Sequence, residues 1–173
     1  MRVLLTGGSG FIGSHIAILL LERGFDVVIL DSFVNSSYNV ITRIKSYLES
    51  KDLKYKLETI NGDIRDKEIL CNIFLDSIKE NKPVDTVIHL AGLKSVSESL
   101  TNPLKYWDVN VFGTLNLLLT MKEYDCYSLV FSSSATIYGL SDYVPMAEDH
   151  KISPINPYGK TKVAIENMFY DLY

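Results

Sequence analysis

Only two cysteines, Cys71 and Cys126, occur in 173 residues, and they lie far apart. Such usage provides neither a disulfide framework nor a paired zinc-ligand spacing, and it favours a reduced, cytoplasmic setting. Basic residues are not in excess: 17 Lys and Arg stand against 21 Asp and Glu, for a formal net charge of −4. That balance leaves no electrostatic footprint for nucleic acid or for an anionic membrane surface. Long apolar runs are missing as well. The chain reaches Gly7 after three consecutive apolar residues, Val3 to Leu5, too few for the core of a secretory signal. No later stretch is long enough to span a bilayer. The expectation is a soluble protein with no nucleic-acid, membrane or metal partner. What the sequence does have is apolar content, 47%, ample for the core of one domain.

Short apolar runs alternate with helical patterns from the first residue. Val3 to Leu5 reads as a buried strand, followed by a glycine-rich turn and a helix over 12–23 that Gly24 closes. Further strands are expected at 27–30, 56–60, 84–90 and 128–131. Between them lie helices at 37–50, 66–80 and 103–122, and a last one runs over 157–173 with Pro157 at its start. Asp66 suits the cap of the third helix. Continuous apolar strands separated by helices indicate a parallel sheet covered on both faces. Right-handed crossovers then lead to a doubly wound, Rossmann-type α/β fold with inferred strand order 3-2-1-4-5, a single domain over 1–173.

Gly7, Gly10 and Gly13 punctuate the turn between the first strand and the first helix. A dinucleotide site needs glycines there to make the tight turn, to let the backbone approach a pyrophosphate and to let helix and strand pack closely. The helix N-terminus adds free N–H groups and positive dipole. The spacing is wider than the general G-x-G-x-x-G pattern, and an ordinary glycine-rich turn is the alternative. Asp31 ends the second strand, eighteen positions after Gly13, where a carboxylate accepts from adenosine ribose hydroxyls and repels a 2′-phosphate. It could also simply cap a turn.

Tyr158 and Lys162 stand four residues apart, on one face of a helix. A phenol is a poor base at neutral pH, and a neighbouring ammonium favours its ionised form, so the pair suits proton transfer. A surface Tyr/Lys pair is the alternative, and position argues against it. The pair follows the fifth strand and the stretch Ser132-Ser133-Ser134-Ala135-Thr136, and ligands of doubly wound sheets bind at the carboxyl ends of strands. Ser134 is then placed to hydrogen-bond a reacting oxygen beside Tyr158.

These motifs occur in one order: Thr6 to Gly13, Asp31, Gly62-Asp63-Ile64, His89 to Lys94, Asn110-Val111-Phe112-Gly113-Thr114, Ser132 to Gly139 and Pro157 to Lys162. Together they resemble the extended short-chain dehydrogenases/reductases, and Ala91-Gly92-Leu93-Lys94 with Ser132 to Thr136 is closest to the UDP-glucose 4-epimerase branch. The resemblance covers essentially the whole chain, and it implies NAD as cofactor. It places Phe11 and Ile12 on the pyrophosphate through their backbone, Asn35 and Ser36 on the adenosine side, and Asp63 and Ile64 beside the adenine. Leu90, Ala91, Gly92 and Lys94 would line the cofactor crevice, and Asn110 would order the backbone behind it. A second asparagine that some members carry just before Asn110 is Val109 here.

By the same resemblance the substrate is a UDP-sugar, held in part by Lys94, Ser134 and Tyr158, and the full-length protein is a homodimer. The reaction inverts C4 through a transient 4-keto sugar, with Ser134, Tyr158 and Lys162 as catalytic residues, a step of galactose metabolism. The family carries a C-terminal substrate-binding region, so the chain is expected to be an NAD-binding portion truncated before it and inactive alone. A 4,6-dehydratase of the same family needs an extra acid where this chain has Ala135 and Thr136. An epimerase for another nucleotide-sugar and a non-catalytic NAD-binding scaffold stay open. Asp31 at the ribose position predicts tighter binding of NAD(H) than of NADP(H). Asp31→Ala should narrow that gap in calorimetric titrations, and equal affinity of the unmutated chain for both would contradict the assignment.

Overall fold

The computed structural model describes residues 1–141 and 143–172. Five strands form one parallel sheet: β1 (Arg2–Thr6), β2 (Asp26–Asp31), β3 (Lys56–Asn61), β4 (Val84–His89) and β5 (Leu129–Phe131), in the order β3-β2-β1-β4-β5. The helices are α1 (Phe11–Glu22), α2 (Asn39–Ser50), α3 (Lys67–Lys79), α4 (Val96–Thr101), α5 (Pro103–Tyr106), α6 (Gly113–Glu123) and α7 (Pro157–Leu172). The order and the strands agree with the sequence reading to within a residue or two.

Contacts gather the chain into two compact units, Met1–Ala91 with Asn116–Ser132, and Gly92–Leu115 with Ser133–Tyr173. The first holds the sheet. All five residues of β1 are buried, because the strand alternation sends its side chains to two covered faces. Leu4, Val28 and Leu30 pack with Leu70, Ile73 and Phe74 of α3 and with Leu117 and Met121. Leu5, Val27 and Ile29 pack with Ala17 and Leu21 of α1 and with Ile41, Ile44 and Leu48 of α2. Asp66 caps α3 as its position suggests, accepting from the backbone N–H groups of Glu68 and Ile69.

The second unit departs from the sequence reading. The single helix expected over 103–122 is interrupted: α5 leads into a π-helical turn, Trp107–Phe112, before α6 begins. A π-turn widens the ladder by one residue and has no composition signature of its own, so the sequence reading does not reveal it. The unexpected α4 starts at Ser95, whose hydroxyl accepts from the Glu98 N–H, half of a capping box that Ser95 and Glu98 advertise in the sequence. Asn102 separates α4 from α5 because the residue before Pro103 is pushed out of helical geometry, here to φ −130° and ψ 57°. The serine stretch after β5 leads into a 3-10 turn over Ala135–Tyr138, capped by Ser134.

Candidate active site

In the first unit the candidate dinucleotide residues cluster at the carboxyl ends of the strands. Gly7 has φ +70°, and a Cβ there would lie 2.7 Å from the Ala91 backbone nitrogen, so only glycine fits where β1 turns toward α1. No side chain caps α1 at Gly10, and no acidic residue stands in its first turn. The backbone at Phe11 and Ile12, both exposed, therefore presents positive dipole and N–H groups to any anion, which fits a pyrophosphate. Gly13 is buried behind them.

Asp31 is buried and fully engaged. One carboxylate oxygen accepts from the Ser9 N–H at 2.9 Å, and the other from the Phe33 N–H and the Ser36 hydroxyl, each at 2.9 Å. The fit to a ribose survives, since a carboxylate has about four acceptor sites and three are taken. Ser36, expected on the adenosine side, thus serves at least to aim Asp31, while Asn35 beside it is exposed. Asp63 is paired with its own neighbour: the Arg65 guanidinium donates to both carboxylate oxygens, at 3.0 and 2.6 Å, and holds the group below the usual carboxylate range. Ile64 is buried in the core, and Leu90 and Ala91 are half-buried, with the Ala91 N–H donating to Thr6 Oγ1.

In the second unit α7 carries the Tyr158–Lys162 pair, and both side chains are buried, 8% and 6% exposed. The Lys162 ammonium lies 6.0 Å from the centre of the Tyr158 ring. Burial pushes Lys162 down to about 8, opposed by the Glu166 carboxylate. Tyr106, fully buried, meets the Tyr158 ring edge-on at 6.4 Å and donates its hydroxyl to Glu98. Gly159 makes the close packing possible, because a Cβ there would stand 2.7 Å from the Thr136 carbonyl oxygen. Ser134 Oγ accepts two hydrogen bonds, from the Thr136 N–H and from Thr136 Oγ1.

Asn110, on the π-turn, is the hub of this unit. Its Oδ1 accepts from the Leu93 N–H at 2.8 Å, and its Nδ2 donates to the Leu93 carbonyl at 3.0 Å and to Thr161 Oγ1 at 3.2 Å. The side chain thereby holds both backbone groups of Leu93, between Gly92 and the exposed Lys94, against α7. Sequence reasoning found Asn110, quoted Thr136 and Thr161 within motifs without giving them a site role, and missed Tyr106 and Glu166. Of the last two, Glu166 left a signal, standing at the next helical repeat after Tyr158 and Lys162. Asn110→Ala removes three hydrogen bonds worth about 1 kcal/mol each and strands the Leu93 N–H. Urea unfolding should show a loss of about 2–4 kcal/mol; a loss below about 1 kcal/mol would show that the hub is dispensable.

A family model described as GDP-mannose 4,6 dehydratase matches residues 4–173. The chain is 44% identical over 172 residues to the bifunctional UDP-glucose 4-epimerase and UDP-xylose 4-epimerase 3 of Arabidopsis thaliana, covering 99% of this chain and 47% of that one. It is 45% identical to the UDP-glucose 4-epimerase of Yersinia pestis, over 99% of this chain and 48% of the relative. Among solved structures, the UDP-glucose-4-epimerase of Stenotrophomonas maltophila, with bound NAD and formylated UDP-arabinopyranose, superposes with a TM-score of 0.88 at 40% identity. It is matched over 99% of this chain and 48% of its own. The enzyme of Bifidobacterium longum, in complex with NAD+ and UDP, gives 0.88 at 36% identity, over 99% and 49%. The chain thus spans about half the length of the curated relatives it matches. On the match over residues 4–173, the chain belongs to the GDP-mannose 4,6 dehydratase family of extended short-chain dehydrogenases/reductases.

Proposed function

We propose that the protein is a UDP-glucose 4-epimerase, inverting C4 of a UDP-hexose with NAD as its cofactor. The activity is proposed for the protein that carries a counterpart of the relatives' other half. The observation that carries the reading is the buried Tyr158–Lys162 pair on α7, with a twice-accepting Ser134 in the same unit. The cofactor's pyrophosphate suits the Gly7, Gly10 and Gly13 turn with the Phe11 and Ile12 backbone. Its adenosine suits Asp31, Asn35, Ser36, Asp63 and Ile64, with Leu90, Ala91, Gly92, Lys94 and Asn110 completing the cofactor-binding set. Bound NAD would supply reversible removal of the C4 hydrogen.

The chain's own residues handle the proton. Tyr158 takes it from the 4-hydroxyl, and the Lys162 ammonium steadies the negative oxygen and binds the nicotinamide ribose. Ser134 has one O–H to give and two lone pairs. With both lone pairs engaged by Thr136, its remaining capacity is donation, which suits it to hold the sugar's 4-oxygen as that oxygen becomes a carbonyl. Lys94 and Tyr158 complete the substrate contacts in this reading. The dehydratase chemistry in the family's description is disfavoured, since Ala135 and Thr136 bring no carboxylate to the 3-10 turn.

The reading extends to cytoplasmic residence and a homodimer. Leu100, Leu104, Trp107, Phe112 and Leu115 are exposed apolar side chains recurring along α4, α5, the π-turn and the start of α6, a surface suited to a second copy. In sedimentation experiments on the full-length protein, Leu104→Glu should weaken the dimer; a monomeric parent at micromolar concentration would remove that part of the proposal. The full-length protein should convert UDP-galactose to UDP-glucose with no net change in NAD. Tyr158→Phe should lower kcat by about a hundredfold or more. A protein inert toward several UDP-sugars that still binds NAD would instead be a scaffold.

A further inference from the structure

The row that begins with Tyr158 and Lys162 has a third member. Glu166 stands four residues after Lys162, as Lys162 stands four after Tyr158, so the three side chains share one face of α7. The Glu166 carboxylate is half-buried and pegged: Ser133 Oγ donates a hydrogen bond to Glu166 Oε1. Ser133 directly precedes Ser134. The peg therefore ties the residue next to one proposed catalytic group to the helix that carries the other two.

We propose that Glu166 is a positioning residue that keeps the Lys162 side chain charged and directed toward Tyr158, with Ser133 fixing its carboxylate. The proposal rests on the epimerase reading only for the purpose of Lys162; the pairing itself stands on the packing of α7. An ammonium taken out of water favours its neutral form, and a nearby negative charge opposes that. Glu166 exerts that opposing pull on Lys162. The elements packed against α7 carry other ionisable groups: Glu98 on α4, Lys105 and Tyr106 on α5, Asp108 on the π-turn and Tyr138 on the 3-10 turn. Glu98 is already committed to Lys105, at 2.8 Å, and to Tyr106, at 3.1 Å. Lys160, Tyr170 and Asp171 are the remaining ionisable residues of the described part of α7, and all three are exposed. Glu166 is pegged by Ser133 and stands on the lysine's own helical row.

Charge and tethering separate cleanly in the test. Glu166→Gln keeps the volume and an acceptor for Ser133 but removes the charge, whereas Ser133→Ala keeps the charge and removes the peg. The 173-residue chain would carry 13C-labelled lysine, with the Lys162 signal assigned by its loss in Lys162→Gln and followed through a pH titration. Lys162 should lose its proton near pH 8 in the parent. Its midpoint should fall by about 1 pH unit in Glu166→Gln and by less in Ser133→Ala. A Glu166→Gln midpoint equal to the parent's overturns the proposal. So does a Glu166→Gln chain that is unfolded by circular dichroism, because the carboxylate would then serve the fold. In the full-length protein, Glu166→Gln should shift the alkaline fall of kcat to lower pH with KM little changed, and Glu166→Asp should restore part of the loss. If the full-length protein proves inert, the epimerase reading fails while the titration still decides the pairing.

Discussion

The central strands β1 and β2 are buried on both faces, and parallel strands of that kind persist only if helices cover both sides. Along β1 and β2 the two-residue alternation sends Leu4, Val28 and Leu30 one way and Leu5, Val27 and Ile29 the other. Each fully buried side chain of this size is worth about 1.5–3 kcal/mol, so neither layer can be stripped without loss of the fold. Covering both sides while keeping each crossover right-handed forces the chain outward from β1 in two directions, which is the order β3-β2-β1-β4-β5. Every strand then ends at the same edge of the sheet. Gly7 follows β1, Asp31 ends β2, Asp63 follows β3 and Leu90 follows β4. The candidate cofactor residues, scattered over the first ninety positions, are neighbours because the core has two faces.

Local hydrogen bonding sharpens what the core assembles. Asp31 is buried, and a buried carboxylate is tolerated only when its oxygens find donors. Ser9, Phe33 and Ser36 provide them. The Ser9 bond ties the glycine turn to the end of β2, and the other two fold the chain after β2 back on itself. Its orientation is set before any ligand arrives, so little freedom remains to be lost on binding. Asn110 plays the corresponding part in the second unit, gripping both backbone groups of Leu93 from a π-turn.

Much of this was legible in the sequence because its causes are local or periodic. Buried strands declare themselves as apolar runs, Asp66 as a cap, and the Tyr158–Lys162 pair by helical spacing. The glycine turn was legible because backbone at φ +70° with no room for a Cβ admits little besides glycine. What stayed hidden depends on distant partners. The π-turn has no composition signature within 103–122 and shows its purpose only once Asn110 is seen reaching Leu93 and Thr161. Ser36 and Arg65 look like ordinary polar loop residues until each is found bonded to a candidate carboxylate. The capping pair Ser95 and Glu98 was written in the sequence, yet a six-residue helix falls below what periodicity resolves.

Lys162 shows how narrow the working range of such a site is. With a midpoint of about 8, the ammonium remains charged in about nine-tenths of molecules at pH 7. Deeper burial without an opposing carboxylate would carry the midpoint through neutrality and leave a neutral amine beside Tyr158. Full exposure would keep the charge but let water screen it, and its influence on the phenol oxygen would fall several-fold. Burial and Glu166 therefore act in opposite directions on one group, and the balance yields a cation that is both present and weakly screened. Packing alone could not hold that balance, because apolar neighbours only disfavour charge. The Glu166 carboxylate, one helical repeat away, opposes them, and Ser133 donates a hydrogen bond to that carboxylate.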